Sequence, residues 1–137
     1  MIVFAACTDA EPGRIVIETE KAPAAIGPYS QGILAGNTLY AAGQLGLVPE
    51  TGAMAGDGLE GQTRQALDNL GAVLEAAGMS FEDVVSVDVF LDDIESFSAF
   101  NAIYSEYFTA NRPARAVVEA ARLPRDALVE IKLIAVR

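Results

Sequence analysis

The segment Arg112-Pro113-Ala114-Arg115-Ala116-Val117-Val118 sets an arginine at the mouth of an apolar strand. Pro113 fixes its own φ and pushes Arg112 toward extended backbone. The β-branched pair Val117-Val118 then favours a strand. A guanidinium among small and apolar neighbours needs an anion, because an unpaired buried charge is costly. Its planar fork matches a carboxylate through two parallel hydrogen bonds. The first ligand to consider is therefore a small carboxylic acid. The competing reading is an internal ion pair with Glu119 or Glu130.

Other chemistry is narrowed by what the chain lacks. There is no histidine among its 137 residues, which excludes triads with a His base, imidazole zinc sites and His proton shuttles. A single cysteine, Cys7, allows no intrachain disulfide. Acid–base work must fall to Asp, Glu, Lys, Tyr, backbone groups or water. The net charge of −10 argues against nucleic acid and against anionic membrane surfaces, both of which select for Lys and Arg.

The elements that must position Arg115 can be read from periodicity. Residues 14–18 form a short strand candidate. Residues 21–29, with Pro23, Gly27 and Pro28, form a loop. Residues 30–35 and 38–44 read as two strands joined by a turn at Gly36-Asn37. Residues 48–58, with Pro49, Gly52, Gly56 and Gly58, form a second loop. Asp57-x-x-Glu60 predicts a capping box, followed by Leu67, Leu70, Leu74 and Ala77 at helical spacing, with Gly78 as the stop. In 84–91, Val85, Val87, Val89 and Leu91 alternate with Ser86 and Asp88, as in a half-buried strand. Asp92-x-x-Glu95 predicts a second capping box. Phe97, Phe100, Tyr104 and Phe108 then make a helical stripe that reads as core. Residues 114–120 and 128–136 are the last two strands.

This order predicts one α+β domain, a sheet with two helices on one face. On the last strand Val129, Ile131, Leu133 and Ala135 alternate with Glu130 and Lys132, and before it Arg115, Val117 and Glu119 share a face. The uncovered face is expected to mix apolar residues with a few charges, as a subunit interface with a polar pocket does. With 52% hydrophobic residues and no run long enough to span a bilayer, the chain is expected to bury surface against its own copies. Residues 1–7 (MIVFAAC) are apolar but lack a basic flank. They read as a loose or strand-adding extension; Phe4-Ala5-Ala6-Cys7 faintly resembles a lipoprotein cleavage site, which would matter if the true start lay upstream.

Several segments together resemble the reactive intermediate deaminase family, the RidA/YjgF-like proteins. They are Ala22-Pro23-Ala24-Ala25-Ile26-Gly27-Pro28-Tyr29-Ser30-Gln31, Ala42-Gly43-Gln44, Arg64-Gln65-Ala66-Leu67-Asp68-Asn69, Leu74-Glu75-Ala76-Ala77-Gly78, Pro113-Ala114-Arg115, Val118-Glu119, Leu123-Pro124 and Glu130-Ile131. Each is weak alone; their joint order and spacing are specific. The resemblance spans residues 15–137 and leaves 1–14 as an N-terminal extension.

The resemblance implies a chorismate-mutase-like α+β fold. It implies a cytoplasmic homotrimer with clefts between subunits, and hydrolysis of 2-aminoacrylate-type enamines and imines to 2-oxo acids and ammonia. No cofactor, metal, nucleic acid or membrane partner is expected. By the same resemblance, Arg115 is the carboxylate anchor, and Glu130 positions or activates the attacking water. Tyr29, Asn101 and Gly43 line the cleft, and the backbone N–H of Val117 serves beside the arginine. Ala42 and Val117 depart from a serine and a cysteine common in the family. Each residue also has a plainer reading. Tyr29 could cap its loop, Gly43 could serve only φ or packing, Asn101 could tie helix to loop, and Glu130 could pair with Lys132 or Arg115. Three rival functions stay open: a 2-oxo acid binder without turnover, the endoribonuclease activity ascribed to some relatives, and a deaminase for a specialised aminoacrylate or aminomuconate.

Overall fold

The computed structural model describes residues 13–137; the expectations for residues 1–7, Cys7 included, lie outside the described residues. Nine elements follow in the order β1 (Arg14–Ile17), β2 (Gly32–Ala35), β3 (Thr38–Ala41), β4 (Gln44–Leu45), α1 (Leu59–Ala76), β5 (Val84–Leu91), α2 (Phe97–Tyr107), β6 (Ala114–Glu119) and β7 (Val129–Val136). They build the predicted α+β architecture. One seven-stranded sheet runs β1-β2-β3-β7-β5-β6, with β4 added to β7. Neighbours are antiparallel except β5 and β6, whose parallel pairing needs a crossover that α2 supplies.

Local chemistry explains the boundaries. The β2–β3 hairpin turns at Gly36-Asn37, with Gly36 at φ 61°, the conformation a two-residue turn demands of its first central residue. Helix α1 stops where Gly78 takes φ 71°. The Met79 and Gly78 N–H groups return to the carbonyls of Leu74 and Glu75 at 2.9 Å each, a Schellman ending. The expected capping boxes do not form as written. Gly58, not Asp57, is the N-cap of α1 and no side chain caps it, because Asp57 lies one residue too far out. Before α2 the cap is Asp93 rather than Asp92; its Oδ1 accepts the Glu95 N–H at 2.9 Å in a short 3-10 turn.

The core lies between the helices and one sheet face. Leu67, Leu70 and Leu74 of α1 meet Leu39, Val87, Val89, Ile131 and Leu133, all essentially inaccessible. Within β5 the predicted alternation shifts. A bulge between Val84 and Ser86 puts Val84 in the core and leaves Val85 47% exposed, so Val85 does not share a face with Val87. Among the described residues the other sheet face has no helix over it. One row across it reads Val16, Ile33, Tyr40, Ile134, Ser86, and Val118 and Val136 lie on the same side. Tyr40, Val118 and Val136 are each at least 39% exposed. Arg14, Asp88, Lys132 and Glu130 are the charges among them.

A second bulge creates the site. The predicted single strand over 38–44 is two strands. From Tyr40, opposite Ile134, to Gln44, opposite Ile131, four steps on one side match three on the other. The extra residue flips the pleat, so Leu39, Ala41 and then Gln44 face the core, and the Ala42-Gly43 break is left beside Glu130.

Candidate functional site

Glu130 sits on the uncovered face, paired with Leu45 and Phe90. Its carboxylate occupies the space over Gly43. A methyl group added to Gly43 would overlap Glu130 Oε1 and lie 3.1 Å from Cδ. Gly43 is therefore required for room, not for φ. Around this carboxylate opens a cavity of about 510 Å³, which Tyr29, Gly43, Gln44, Leu45 and Arg125 help to line. Burial raises the Glu130 carboxyl above the ordinary carboxylate range. Among the described residues it makes no salt bridge, so neither Lys132 nor Arg115 is its partner.

Tyr29 is carried by the 18–31 loop, about half exposed, with its hydroxyl accepting the Ile26 N–H at 3.4 Å. Its ring is not in the core. Buried Gln31 holds this loop. Its Oε1 accepts from Thr19 N at 2.7 Å, and its Nε2 donates to the carbonyls of Thr19, Ala22 and Pro23 at 3.0, 3.2 and 2.8 Å. Two polar residues on the buried side of α1 fix the facing wall. Asn69 donates to the Leu45 and Leu47 carbonyls at 3.2 and 2.9 Å. Gln62 joins Gly56 O at 3.0 Å to the Leu128 N–H at 2.9 Å. Sequence reasoning missed these three as supports. The readable signal was Gln62 and Asn69, seven residues apart on the same stripe as Ala66 and Val73.

Arg115 lies elsewhere. It pairs with Val87, so it points to the helix side of the sheet, at its β6 edge. Its guanidinium carbon is 4.5 Å from the Tyr104 ring centroid, 5.7 Å from Phe97 and 5.9 Å from Phe100. With Asn101, Tyr104 and Arg112 it lines a second cavity of about 440 Å³. The internal ion pair is not made. Glu119 instead accepts the Ile94 N–H at 2.9 Å, and among the described residues no salt bridge involves Arg115. Val117 packs on the core edge and lines neither cavity.

The candidate residues thus fall into two half-sites: Tyr29, Gly43 and Glu130 in one, Asn101 and Arg115 in the other. Arg115 and Glu130 are two strands apart and three residues out of register, roughly 14 Å between backbones at ordinary sheet spacings, and on opposite faces. Within one chain they do not meet. Among the described residues no cluster of His, Cys, Asp or Glu could hold a metal ion, and no helix is long and apolar enough to cross a membrane.

A mixed sheet with both helices on one face is an α+β fold shared with solved structures. The Escherichia coli protein TdcF, solved with bound serine, superposes with a TM-score of 0.86 at 40% identity, covering 90% of this chain and 98% of its own. The family profile described as Endoribonuclease L-PSP matches residues 19–137. A RutC family protein of Pyrococcus horikoshii is 52% identical over 120 residues, 88% of this chain and 95% of the relative. The human 2-iminobutanoate/2-iminopropanoate deaminase is 45% identical, with 90% of each chain covered. The chain belongs to the Endoribonuclease L-PSP family, that of the RidA/YjgF proteins.

Proposed function

We propose that the protein hydrolyses short 2-imino acids and their enamine tautomers to 2-oxo acids and ammonia, in clefts completed between the subunits of a trimer. The observation that carries this reading is the split itself: an arginine with no acidic partner among the described residues in one half-site and a carboxyl raised by burial in the other. The uncovered apolar face of the sheet is the surface on which copies would assemble around a shared axis, with Arg115 reaching a neighbour's Glu130 from the β6 edge rather than from that face. The deaminase name of the human relative and the serine bound by TdcF, which carries a carboxylate beside an amino-bearing carbon, support the same substrate class.

The chemistry asks for little. Arg115 holds the substrate carboxylate in its fork and fixes the imine carbon. Glu130 orients a water and takes its proton as the oxygen attacks that carbon. The protonated imine becomes a carbinolamine; Glu130 returns the water's proton to the nitrogen, the C–N bond breaks, and the hydroxyl proton passes to the departing ammonia, leaving the 2-oxo acid and ammonium. Gly43 provides the room in which the Glu130 carboxylate stands. The family profile's endoribonuclease description finds less support, because the −10 charge offers little to neutralise phosphates.

The test is turnover of freshly generated 2-aminoacrylate and 2-aminocrotonate, followed by complementation. Arg115→Ala and Glu130→Gln chains, each inactive alone, are refolded together. Random trimers should regain about a quarter of wild-type activity, because that share of clefts joins an intact arginine to an intact glutamate. No restoration would refute the shared cleft, and no wild-type turnover would refute the deaminase.

A further inference from the structure

Tyr104 reads from sequence as one member of a core stripe, and most of its ring is core. It is nine-tenths buried and packs between Phe100 (5.5 Å) and Phe108 (4.4 Å, nearly parallel). Two facts do not suit a purely structural ring. Its hydroxyl is buried and makes no hydrogen bond among the described residues, an arrangement that phenylalanine would avoid, and the donors acting on it are those of the Arg115 guanidinium. Its ring also carries the guanidinium of Arg115 at 4.5 Å, closer than Phe97 or Phe100 do, and it lines the same cavity as Arg115 and Asn101. Burial pushes the phenol up to about 12, against the opposing pull of the Arg115 charge and of its N–H donors, so it stays neutral in the working range.

We propose that Tyr104 is the positioning residue for Arg115, holding the guanidinium by its ring face and steadying the fork with its hydroxyl when a carboxylate ligand binds. An acidic partner would hold the arginine equally well, but it would compete with the ligand for the same two N–H groups. An aromatic face attracts the cation without engaging the donors in the guanidinium plane. The in-plane donors of the fork are therefore left free for the ligand. When the fork's outer edge closes on a carboxylate, an inner N–H can close on the Tyr104 oxygen, on which the Arg115 donors already act, and complete a full hydrogen bond to the buried hydroxyl. This rests on Arg115 as the carboxylate anchor of the proposed function.

The test replaces Tyr104 by Phe, and then by phenylalanines bearing one to several ring fluorines, which keep the shape while draining the ring's negative face. Affinity for 2-oxobutyrate is read by calorimetry, kcat and KM by imine turnover, and folding by thermal melts. Tyr104→Phe should weaken 2-oxobutyrate binding by roughly tenfold, the worth of one hydrogen bond to a charged group, with a Tm equal to or above wild type. Fluorination should weaken it further, stepwise, by roughly 2- to 30-fold in total. KM should rise more than kcat falls. Affinity unchanged across the series, or affinity that falls only in step with Tm, would overturn the proposal. A wild-type protein that binds 2-oxobutyrate without turnover would refute the deaminase and leave the series to judge Tyr104. One that binds no 2-oxobutyrate would overturn both.

Discussion

Replacing Gly43 by alanine should uncouple catalysis from folding. The added methyl group would overlap Glu130 Oε1 and crowd Cδ at 3.1 Å and Cγ at 3.3 Å, and it meets nothing else at closer range. The obstacle is the end of a flexible, half-buried side chain, so the backbone need not move. Glu130 swings aside by about 1 Å or leaves its rotamer, at about 0.5–1.5 kcal/mol. The melting temperature should fall by only about 3–6 °C. A base displaced by that distance loses far more, about 10²-fold in kcat. The assay is ammonia and 2-oxo acid release from freshly generated 2-aminoacrylate, with a double-mutant comparison. Glu130→Gln alone should lower turnover by roughly 10²–10⁴-fold. Adding Gly43→Ala to it should cost less than about threefold more, because no base is left to misplace. Wild-type kcat in Gly43→Ala, or a further 10²-fold loss on the Glu130→Gln background, would show that Gly43 does not act through Glu130.

Arg115→Lys should keep the fold and the charge but lose most turnover, since an ammonium cannot reproduce the fork; wild-type kcat/KM would refute the anchor. Gln31→Ala removes the acceptor for Thr19 N and the donor to three carbonyls; it should cost about 2–4 kcal/mol in urea unfolding and speed proteolytic cutting of the 18–31 loop. Because burial raises the folded carboxyl of Glu130, its favourable share of stability is present below the unfolded value of about 4.3 and is lost as pH rises through the folded one. The stability advantage of Glu130→Gln over wild type should accordingly grow between pH 4 and pH 7, and a constant difference in melting temperature would contradict it. Ile134→Glu places a charge in the middle of the uncovered apolar row and should convert the proposed trimer to monomers in light scattering.

Much of this architecture is local, and local signals are written in the chain. Gly36-Asn37 turns a hairpin, Gly78 ends a helix, and Leu67, Leu70 and Leu74 mark a buried stripe through spacing alone. Residue types also set the chemistry: no histidine, and an arginine at a strand mouth with a carboxylate as its natural ligand. Register and face were not legible. The bulge at Ala42-Gly43 shifts the pleat by one residue, and only the pairing of 38–45 with β7 reveals it. The bulge at Val85 likewise depends on what β7 offers β5. Whether Arg115 pairs with Glu119 is decided by Ile94, whose N–H the folded chain brings to that carboxylate from 25 residues away. Above all, tertiary structure put Arg115 and Glu130 on opposite faces. A sequence can name two groups that suit one reaction. Which side of a sheet each one faces depends on strand order and pleat, and these arise only when distant segments pair.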